Sequence, residues 1–448
     1  MRELTIYLSA GEHELFASKS EQQLPPADGN EPMVEIVLDM EQTYQRIDGF
    51  GASFTDSAAY LMHQVIGAEQ RSQLMRNLFD PKTGIGLSVL RNPMGASDYA
   101  RDMYSYDDLD GEEVDPELKR FSISHDEADI IPLLQEAMTL NSDLKLMASP
   151  WSPPGWMKTS GSMIGGELKK EYYTAYSEYF VRFIQSYSAH GLPIYAVTPQ
   201  NEPLYVPGHY PGMLMLPEWQ ADFVKNHLKP SFAKHGIRTK ILCYDHNWDR
   251  PDYPLHVLEH ANQEVDGVAW HWYNGNPAVQ SEVRLAFPDK EVHFTEGSGG
   301  EWIPPFEPAF SNVLRTGIEI LRNYGQSLVL WNMALDEHNG PTVPGFGRST
   351  CRGIVQINQQ TREVVYTLDY YALAHFSKII RPNALRIGSS AGRSSIRNVA
   401  FRNTDHSTAV VLFNDSEKAE DVSLRLQNEE LLNFRMEPKS AMSVLVRS

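Results

Sequence analysis

The sequence predicts an α/β fold: a (β/α)8 TIM barrel with an attached β-sandwich formed by both chain termini. Three observations predict it. From about residue 45 to residue 380, short strand-like runs alternate with longer helical patterns, eight of each. Parallel strands need such crossovers, and eight βα units over roughly 300 residues is the size of this barrel. Beyond about residue 385 the pattern reverts to strands separated by turn residues. A doubly wound sheet would carry a glycine-rich phosphate turn after its first strand, and Gly49-Phe50-Gly51-Ala52-Ser53 lacks the third glycine.

Taken in order, residues 34–40 alternate apolar and polar like a half-buried strand. The barrel runs then follow at 45–54, 87–91, 144–149, 194–200, 240–245, 268–273, 292–296 and 327–332. Helical patterns separate and follow them at 57–79, 126–141, 169–190, 217–235, 253–262, 277–286, 308–324 and 367–379. Strands of the second domain are predicted at 398–403, 408–414, 421–426, 431–436 and 442–446, punctuated by Asn403-Thr404-Asp405 and Asn414-Asp415-Ser416. The division expected is 1–44 for the N-terminal strands of the sandwich, 45–382 for the barrel and 383–448 for the C-terminal sandwich strands.

Composition narrows the function classes. A net charge of −19 argues against nucleic acid as partner, because neutralising phosphates needs clustered Lys and Arg. Cys243 and Cys351 are the two cysteines, enough for neither a disulfide framework nor a metal cluster; Cys243, inside Ile241-Leu242-Cys243-Tyr244, reads as a buried thiol. No stretch approaches the roughly 20 apolar residues of a membrane span. The first ten residues are too polar for a secretory segment, so a cytoplasmic protein is expected. Oligomeric state is not legible.

Two of the runs end on glutamate. Pro193-Ile194-Tyr195-Ala196-Val197 leads into Thr198-Pro199-Gln200-Asn201-Glu202-Pro203, and Glu291-Val292-His293-Phe294 leads into Thr295-Glu296-Gly297. A buried, unpaired carboxylate is costly, so two at strand ends point to use. Reactive residues of this barrel sit at the C-terminal ends of its strands. Reading those ends gives Asp98, Trp151, Asn201, Glu202, Asp245, His246, His271, Tyr273, Glu296, Trp331 and Asn332, a polar and aromatic ring around two carboxylates. Sugar chemistry wants such a set: one carboxylic acid protonates the leaving oxygen, and a carboxylate attacks or stabilises the anomeric carbon. Tryptophan rings match the C–H face of a pyranose, and Asn, Asp and His bond its hydroxyls. Asp245, His246 and Asp249 match no metal-ligand spacing, and residues 244–250 read as an exposed loop. Met213-Leu214-Met215-Leu216 reads as packing.

Several segments together resemble glycoside hydrolase family 30, the group of glucosylceramidases, β-1,6-glucanases and some β-xylosidases. They are Gln45-Arg46-Ile47-Asp48-Gly49-Phe50-Gly51, Leu90-Arg91-Asn92-Pro93-Met94-Gly95-Ala96-Ser97-Asp98, Ser149-Pro150-Trp151-Ser152-Pro153-Pro154-Gly155-Trp156, Asn201-Glu202-Pro203, His271-Trp272-Tyr273, Phe294-Thr295-Glu296 and Ala374-His375-Phe376-Ser377-Lys378. The resemblance implies a retaining β-glycosidase with Glu202 as acid/base and Glu296 as nucleophile. It implies sugar contacts at Asp98, Trp151, Asn201 and Trp331, and it places Arg91 and Tyr273 beside the nucleophile; His271 joins the substrate-binding set. No cofactor and no metal are implied. The carboxyl groups of a retaining pair are expected about 5–5.5 Å apart. Burial and the charge of Glu296 are expected to raise the pKa of Glu202, with Arg91 and Tyr273 keeping Glu296 ionised. The expected substrate is a β-D-glucoside, glucosylceramide included. A β-1,6-glucanase, β-xylosidase or β-fucosidase on the same machinery is the alternative, and a non-catalytic sugar-binding barrel the alternative from another class. Residues 339–351 depart from the animal glucosylceramidases. The loops at 206–216, 247–254 and 302–310 are expected to decide specificity.

Overall fold

The structure is a computed structural model that describes residues 3–11, 13–29, 32–299, 309–390, 395–427 and 429–447. Eight parallel strands close into a barrel in chain order: Gly49–Ser53, Val89–Pro93, Lys145–Ser149, Ile194–Val197, Lys240–Asn247, Gly267–His271, Glu291–Glu296 and Ser327–Leu330. The last strand pairs with the first in the register Leu328 to Phe50, which seals the barrel. Gly51 lets the first strand approach the second this closely, since a Cβ there would stand 1.6 Å from the Val89 carbonyl oxygen.

Inside the barrel, Val89, Met147, Ala196, Leu242, Ala269 and Val329 form one buried apolar layer. Side chains alternate faces along a strand, so the residues two positions on also point inward. These are Arg91, Ser149, Thr198, His271 and Trp331. The pleat thus converts an apolar plug into a polar site one step nearer the C-terminal rim. Below the plug, Asp48, Lys145, Tyr195, Lys240, Glu291 and His293 close the opposite end with ion pairs and hydrogen bonds.

The second domain is one nine-stranded sheet whose two ends share a single core that includes Ile6, Ile36, Leu412, Phe434 and Val444. Glu3–Ser9 runs antiparallel to Ala441–Arg447. Val34–Arg46 lies between Glu420–Leu426 (parallel) and Leu385–Ser389 (antiparallel). The two domains are pinned by His375, on the helix Leu368–Ser377, whose ring lies 2.8 Å from Ser9 Oγ and 2.7 Å from Ser443 Oγ. Asp415 with Arg315, and Arg397 with Glu319, add a second tie.

Four expectations are corrected. The run 45–54 divides: Gln45 and Arg46 end the long sandwich strand, and the barrel strand starts at Gly49. The helices expected at 57–79 and 217–235 are broken by wide turns at Leu61–Val65 and Val224–Leu228. In the second case Pro230 has no N–H to donate, so the hydrogen-bond ladder loosens just before it. The pattern at 126–141 divides at Asp129 into Ser124–Ala128 and Ile130–Leu140, with Pro132 in the first turn of the second helix. A small sheet of Ala334–Leu335, Val355–Ile357 and Val364–Tyr366, unforeseen, follows the eighth barrel strand and brings residues 346–351 over the barrel mouth. Among the described residues no helix is long and apolar enough to cross a membrane.

Candidate active site

Two irregularities aim the central carboxylates. The pairing register shifts between Tyr244 and His246 on the fifth strand and between Phe294 and Glu296 on the seventh. A bulge inserts a residue and re-aims the side chains beyond it. On the fifth strand Tyr244 turns outward onto Tyr253, and Asp245 takes the inward place. The sequence reading of 244–250 as an exposed loop is therefore corrected: Tyr244 and Asp245 are fully buried, and Trp248 nearly so. Strain collects here as well. Glu202, Tyr244, Asp245 and Asn332 have φ of 44°, 76°, 64° and 72°, a left-handed backbone that costs of order 1–3 kcal/mol per non-glycine residue. The Glu202 N–H donates to the Asp245 carbonyl at 2.9 Å, which ties the fourth strand's loop to the fifth strand's bulge.

Arg91 and Asp245 form the buried frame. Arg91 Nη1 donates to Glu296 Oε2 at 2.7 Å, and Nη2 to Asn201 Oδ1 at 2.6 Å and Asp245 Oδ2 at 2.8 Å. Its guanidinium also lies over the Trp151 ring, 4.8 Å from the centroid. Asp245 accepts in addition from Ser149 and Thr198 at Oδ2 and from Thr295 at Oδ1, while His271 Nε2 stands 2.9 Å from Oδ1. Burial alone would raise the Asp245 pKa, but Arg91 and His271 hold it well below the usual carboxylate range.

His271 joins the two glutamates. Its Nδ1 is 3.1 Å from Glu202 Oε1 and 3.9 Å from Glu296 Oε1. Tyr273 OH donates to Glu296 Oε1 at 3.1 Å. Burial opposes the imidazolium, yet Glu296 and Asp245 push the His271 pKa up to about 9. Burial likewise opposes ionised Glu202, yet His246 and His271 outweigh it and hold Glu202 low. Burial raises Glu296 more than His271 and Arg91 depress it. The expected ordering of the two glutamates is thus reversed, for a definite reason. With Nε2–H given to Asp245, Nδ1 and Glu202 share one proton, written either as imidazolium facing carboxylate or as imidazole facing carboxylic acid. The proton expected on Glu202 is kept in the site, resting on the ring.

These groups open into a cavity of about 450 Å³. Asp98, Trp151, Asn201, Glu202, Tyr273, Glu296 and Trp331 all line it; Arg91 and His271 lie behind that lining. Trp151 and Trp331 stack at 5.0 Å. Asp98 is partly exposed to the cavity, its shielded Oδ1 has no hydrogen-bond partner, and desolvation with the charge of Glu296 raises its pKa well above the ordinary value. An orphaned acceptor facing a cavity is a place for a ligand hydroxyl. Sequence reasoning named the loop 206–216 but not the outer wall it helps build: Tyr205, His209, Tyr210 and Phe346 form a run of ring contacts, and Arg348 to Cys351 close the side. The loop 206–216 supplies His209 and Tyr210, and 247–254 supplies Asn247. Of the loop 302–310, residues 302–308 lie outside the described residues. Met213 and Met215 are buried.

Residues 47–380 match the glycosyl hydrolase family 30 TIM-barrel domain, and residues 383–444 match the family's beta sandwich domain. The chain is 32% identical over 390 residues to Endo-1,6-beta-D-glucanase BGN16.3 of Trichoderma harzianum, covering 83% of this chain and 78% of that one. It is 30% identical over 422 residues to the Lysosomal acid glucosylceramidase of Mus musculus, covering 88% and 80%. Among solved structures, the endo-beta1,6-glucanase BT3312 superposes with a TM-score of 0.89 at 31% identity over 99% of both chains.

Proposed function

Because this chain belongs to glycosyl hydrolase family 30, we propose that it cleaves β-glucosidic bonds with retention, using Glu296 as nucleophile and Glu202 as acid and base, and that its substrate is a β-1,6-linked glucan. The mechanism rests on one observation: both carboxylates reach the same imidazole nitrogen, at 3.1 and 3.9 Å. Their Oε1 atoms can be no farther apart than those two distances laid end to end. That limit excludes all but the lowest part of the roughly 6.5–9.5 Å of an inverting pair.

In the first step a Glu296 oxygen attacks the anomeric carbon, the bond to the aglycone oxygen breaks, and Glu202 transfers to that oxygen the proton it shares with His271. Arg91 and Tyr273 each hold one oxygen of Glu296 and fix its attack geometry. In the second step Glu202 takes a proton from water. The water oxygen bonds to the anomeric carbon, and the ester to Glu296 breaks. Asp98 and Asn201 meet glucose hydroxyls, and the Trp151–Trp331 pair walls the ring.

The glucan reading is supported by the relatives named for endo-1,6-β-glucanase activity and by the mouth of the cavity. Tyr205, His209, Tyr210 and Phe346 offer flat ring faces with polar edges, which suit a second pyranose. A ceramide would want contiguous aliphatic surface. Among the described residues only Tyr205 and Val206 are large apolar side chains exposed at this mouth. Glucosylceramide is the second reading, favoured by the similarity to a glucosylceramidase over 88% of the chain.

Two measurements test this. A 2-deoxy-2-fluoro-β-glucoside with a good leaving group should label the peptide carrying Glu296, as read by mass spectrometry; a label elsewhere, or inverted product, overturns the mechanism. Linear β-1,6-glucan should be cleaved faster than glucosylceramide and than aryl β-glucosides, β-xylosides and β-fucosides. A higher rate on glucosylceramide transfers the reading to the lipid.

A further inference from the structure

We propose that Glu202, His246 and His271 form a binding site for a divalent transition cation of the Zn²⁺ class, and that the bound ion switches hydrolysis off by occupying the acid/base. The switching half rests on Glu202 being the acid/base; the binding half stands on geometry alone.

Glu202 Oε1 lies 3.1 Å from His271 Nδ1 and 3.4 Å from His246 Nδ1, and all three atoms fall within 4.8 Å of one another. A tetrahedral ion with ligand bonds of about 2.0–2.2 Å places neighbouring ligand atoms about 3.3–3.5 Å apart. The two spacings from Glu202 already match, and the imidazole nitrogens, within 4.8 Å of each other, must close the remaining gap to receive the ion. His246 Nδ1 is buried and makes no hydrogen bond. Such a shielded nitrogen beside a carboxylate, once it has given up its proton, is suited to a metal. His271 is oriented already: Nε2 is engaged by Asp245 Oδ1 at 2.9 Å, and Asp245 is itself fixed by Arg91, Ser149, Thr198 and Thr295. A carboxylate behind a metal-binding imidazole, locking its tautomer and angle, is the usual outer support of such sites. The cavity in front leaves room for a water as fourth ligand. Two imidazoles and one carboxylate favour zinc-like ions over Mg²⁺ and Ca²⁺, which want oxygen donors.

The other cluster of comparable ligands makes the contrast. Asp48, Glu291 and His293 also lie close together at the opposite end of the barrel. There the ammonium groups of Lys145 and Lys240 already face the carboxylates, so positive charge is supplied by the chain. Around Glu202, His246 and His271 no ammonium among the described residues does this; the charge there is the proton shared by His271 and Glu202, which a bound ion would displace.

The test adds ZnCl2 to the full-length enzyme in a non-chelating buffer and follows two signals. Binding is measured by competition with a chromophoric chelator, and hydrolysis on the best substrate of the panel above. We expect one Zn²⁺ per chain, loss of hydrolysis in step with its binding, and recovery on adding EDTA. His246→Gln and Glu202→Gln should each weaken Zn²⁺ binding tenfold or more, the latter read by binding alone; circular dichroism melting establishes that both are folded. The double variant His256→Gln/His260→Gln, a stacked pair away from the site on the helix Asp252–His260, should bind as the parent does. Zn²⁺ binding that survives both site substitutions, or vanishes with that stacked pair, overturns the site. Binding that depends on His246 and Glu202 while hydrolysis continues at saturating Zn²⁺ upholds the site and overturns the switch, and with it the role given to Glu202.

Discussion

His271 Nδ1 faces Glu202 Oε1 at 3.1 Å while the far side of the same ring is held by Asp245. In the mechanism proposed above, the proton that reaches the leaving oxygen belongs to a carboxyl–imidazole pair. Its titration is set by the ring, which the surrounding carboxylates push up to about 9.

The alkaline limb of the activity profile should accordingly fall near pH 9, as the pair loses its proton. The acid limb should lie above the ordinary carboxylate range, because Glu296 must be ionised to attack and its pKa is raised by burial. In His271→Asn the proton rests on Glu202 alone, and the alkaline limb should move to lower pH. A profile of kcat/KM against pH for both proteins checks this; an unmoved limb excludes the shared proton.

Glu202→Ala and Glu296→Gly should differ in their rescue by azide. Without Glu202, a dinitrophenyl leaving group still departs unprotonated, and azide opens the glycosyl-enzyme to give the β-glycosyl azide. Without Glu296, azide enters directly on the opposite face and gives the α-glycosyl azide. The opposite pairing of products would exchange the two roles. Glu202→Gln should slow turnover of a poor leaving group by about 10²–10⁴-fold.

Tyr205→Ala and Phe346→Ala should raise KM for β-1,6-glucan about tenfold each, a ring contact being worth roughly 1–2 kcal/mol. Hydrolysis of a small aryl β-glucoside, which does not reach the outer wall, should change little. Equal effects on both substrates would place these rings outside the aglycone path.

Asp245→Ala leaves Arg91 with one fewer counter-charge and frees the His271 ring. Breaking such a buried ion pair should destabilise the fold by about 3–5 kcal/mol, measured by urea unfolding, and should also remove activity.

His375 is buried between Ser9 and Ser443, and burial pushes its pKa down to about 3. The unfolded chain binds this proton near pH 6.5, so the group's contribution to stability is complete above that pH and is lost as pH falls toward 3. His375→Gln should lower the melting temperature more at pH 7 than at pH 4. An equal loss at both would show the ring titrating freely.

Much of this site was legible because the barrel repeats one rule. Val89 then Arg91, Ala269 then His271, and Val329 then Trp331 each step from plug to site by the period of a strand, and the sequence carries that period. Glu202 and Glu296 stood out because glutamate is out of place at a buried strand end. Asp245 was noticed at a strand end, but its place at the centre of the frame was not, because a bulge shifts the period by one and leaves no mark in residue type. The aromatic outer wall was legible only in part: the loop 206–216 was expected to matter, but Phe346 comes from a loop far along the chain, and only the fold brings it to Tyr205 and Tyr210. The split of 45–54 has a similar origin. Strand-forming residues continue without a break from the sandwich into the barrel, and only pairing partners separate them.

The sheet that joins Glu3–Ser9 to Ala441–Arg447, and Val34–Arg46 to Leu385–Ser389 and Glu420–Leu426, also imposes an order of events during synthesis. A ribosome delivers the first strands tens of seconds before their partners, at about 5–20 residues per second. The barrel between them can close in that interval, while the leading segment waits with open edges. Release of an arrested chain at residue 382 should therefore yield a protease-resistant barrel carrying a digestible N-terminal tail. For that interval the growing protein exposes strand edges open to aggregation.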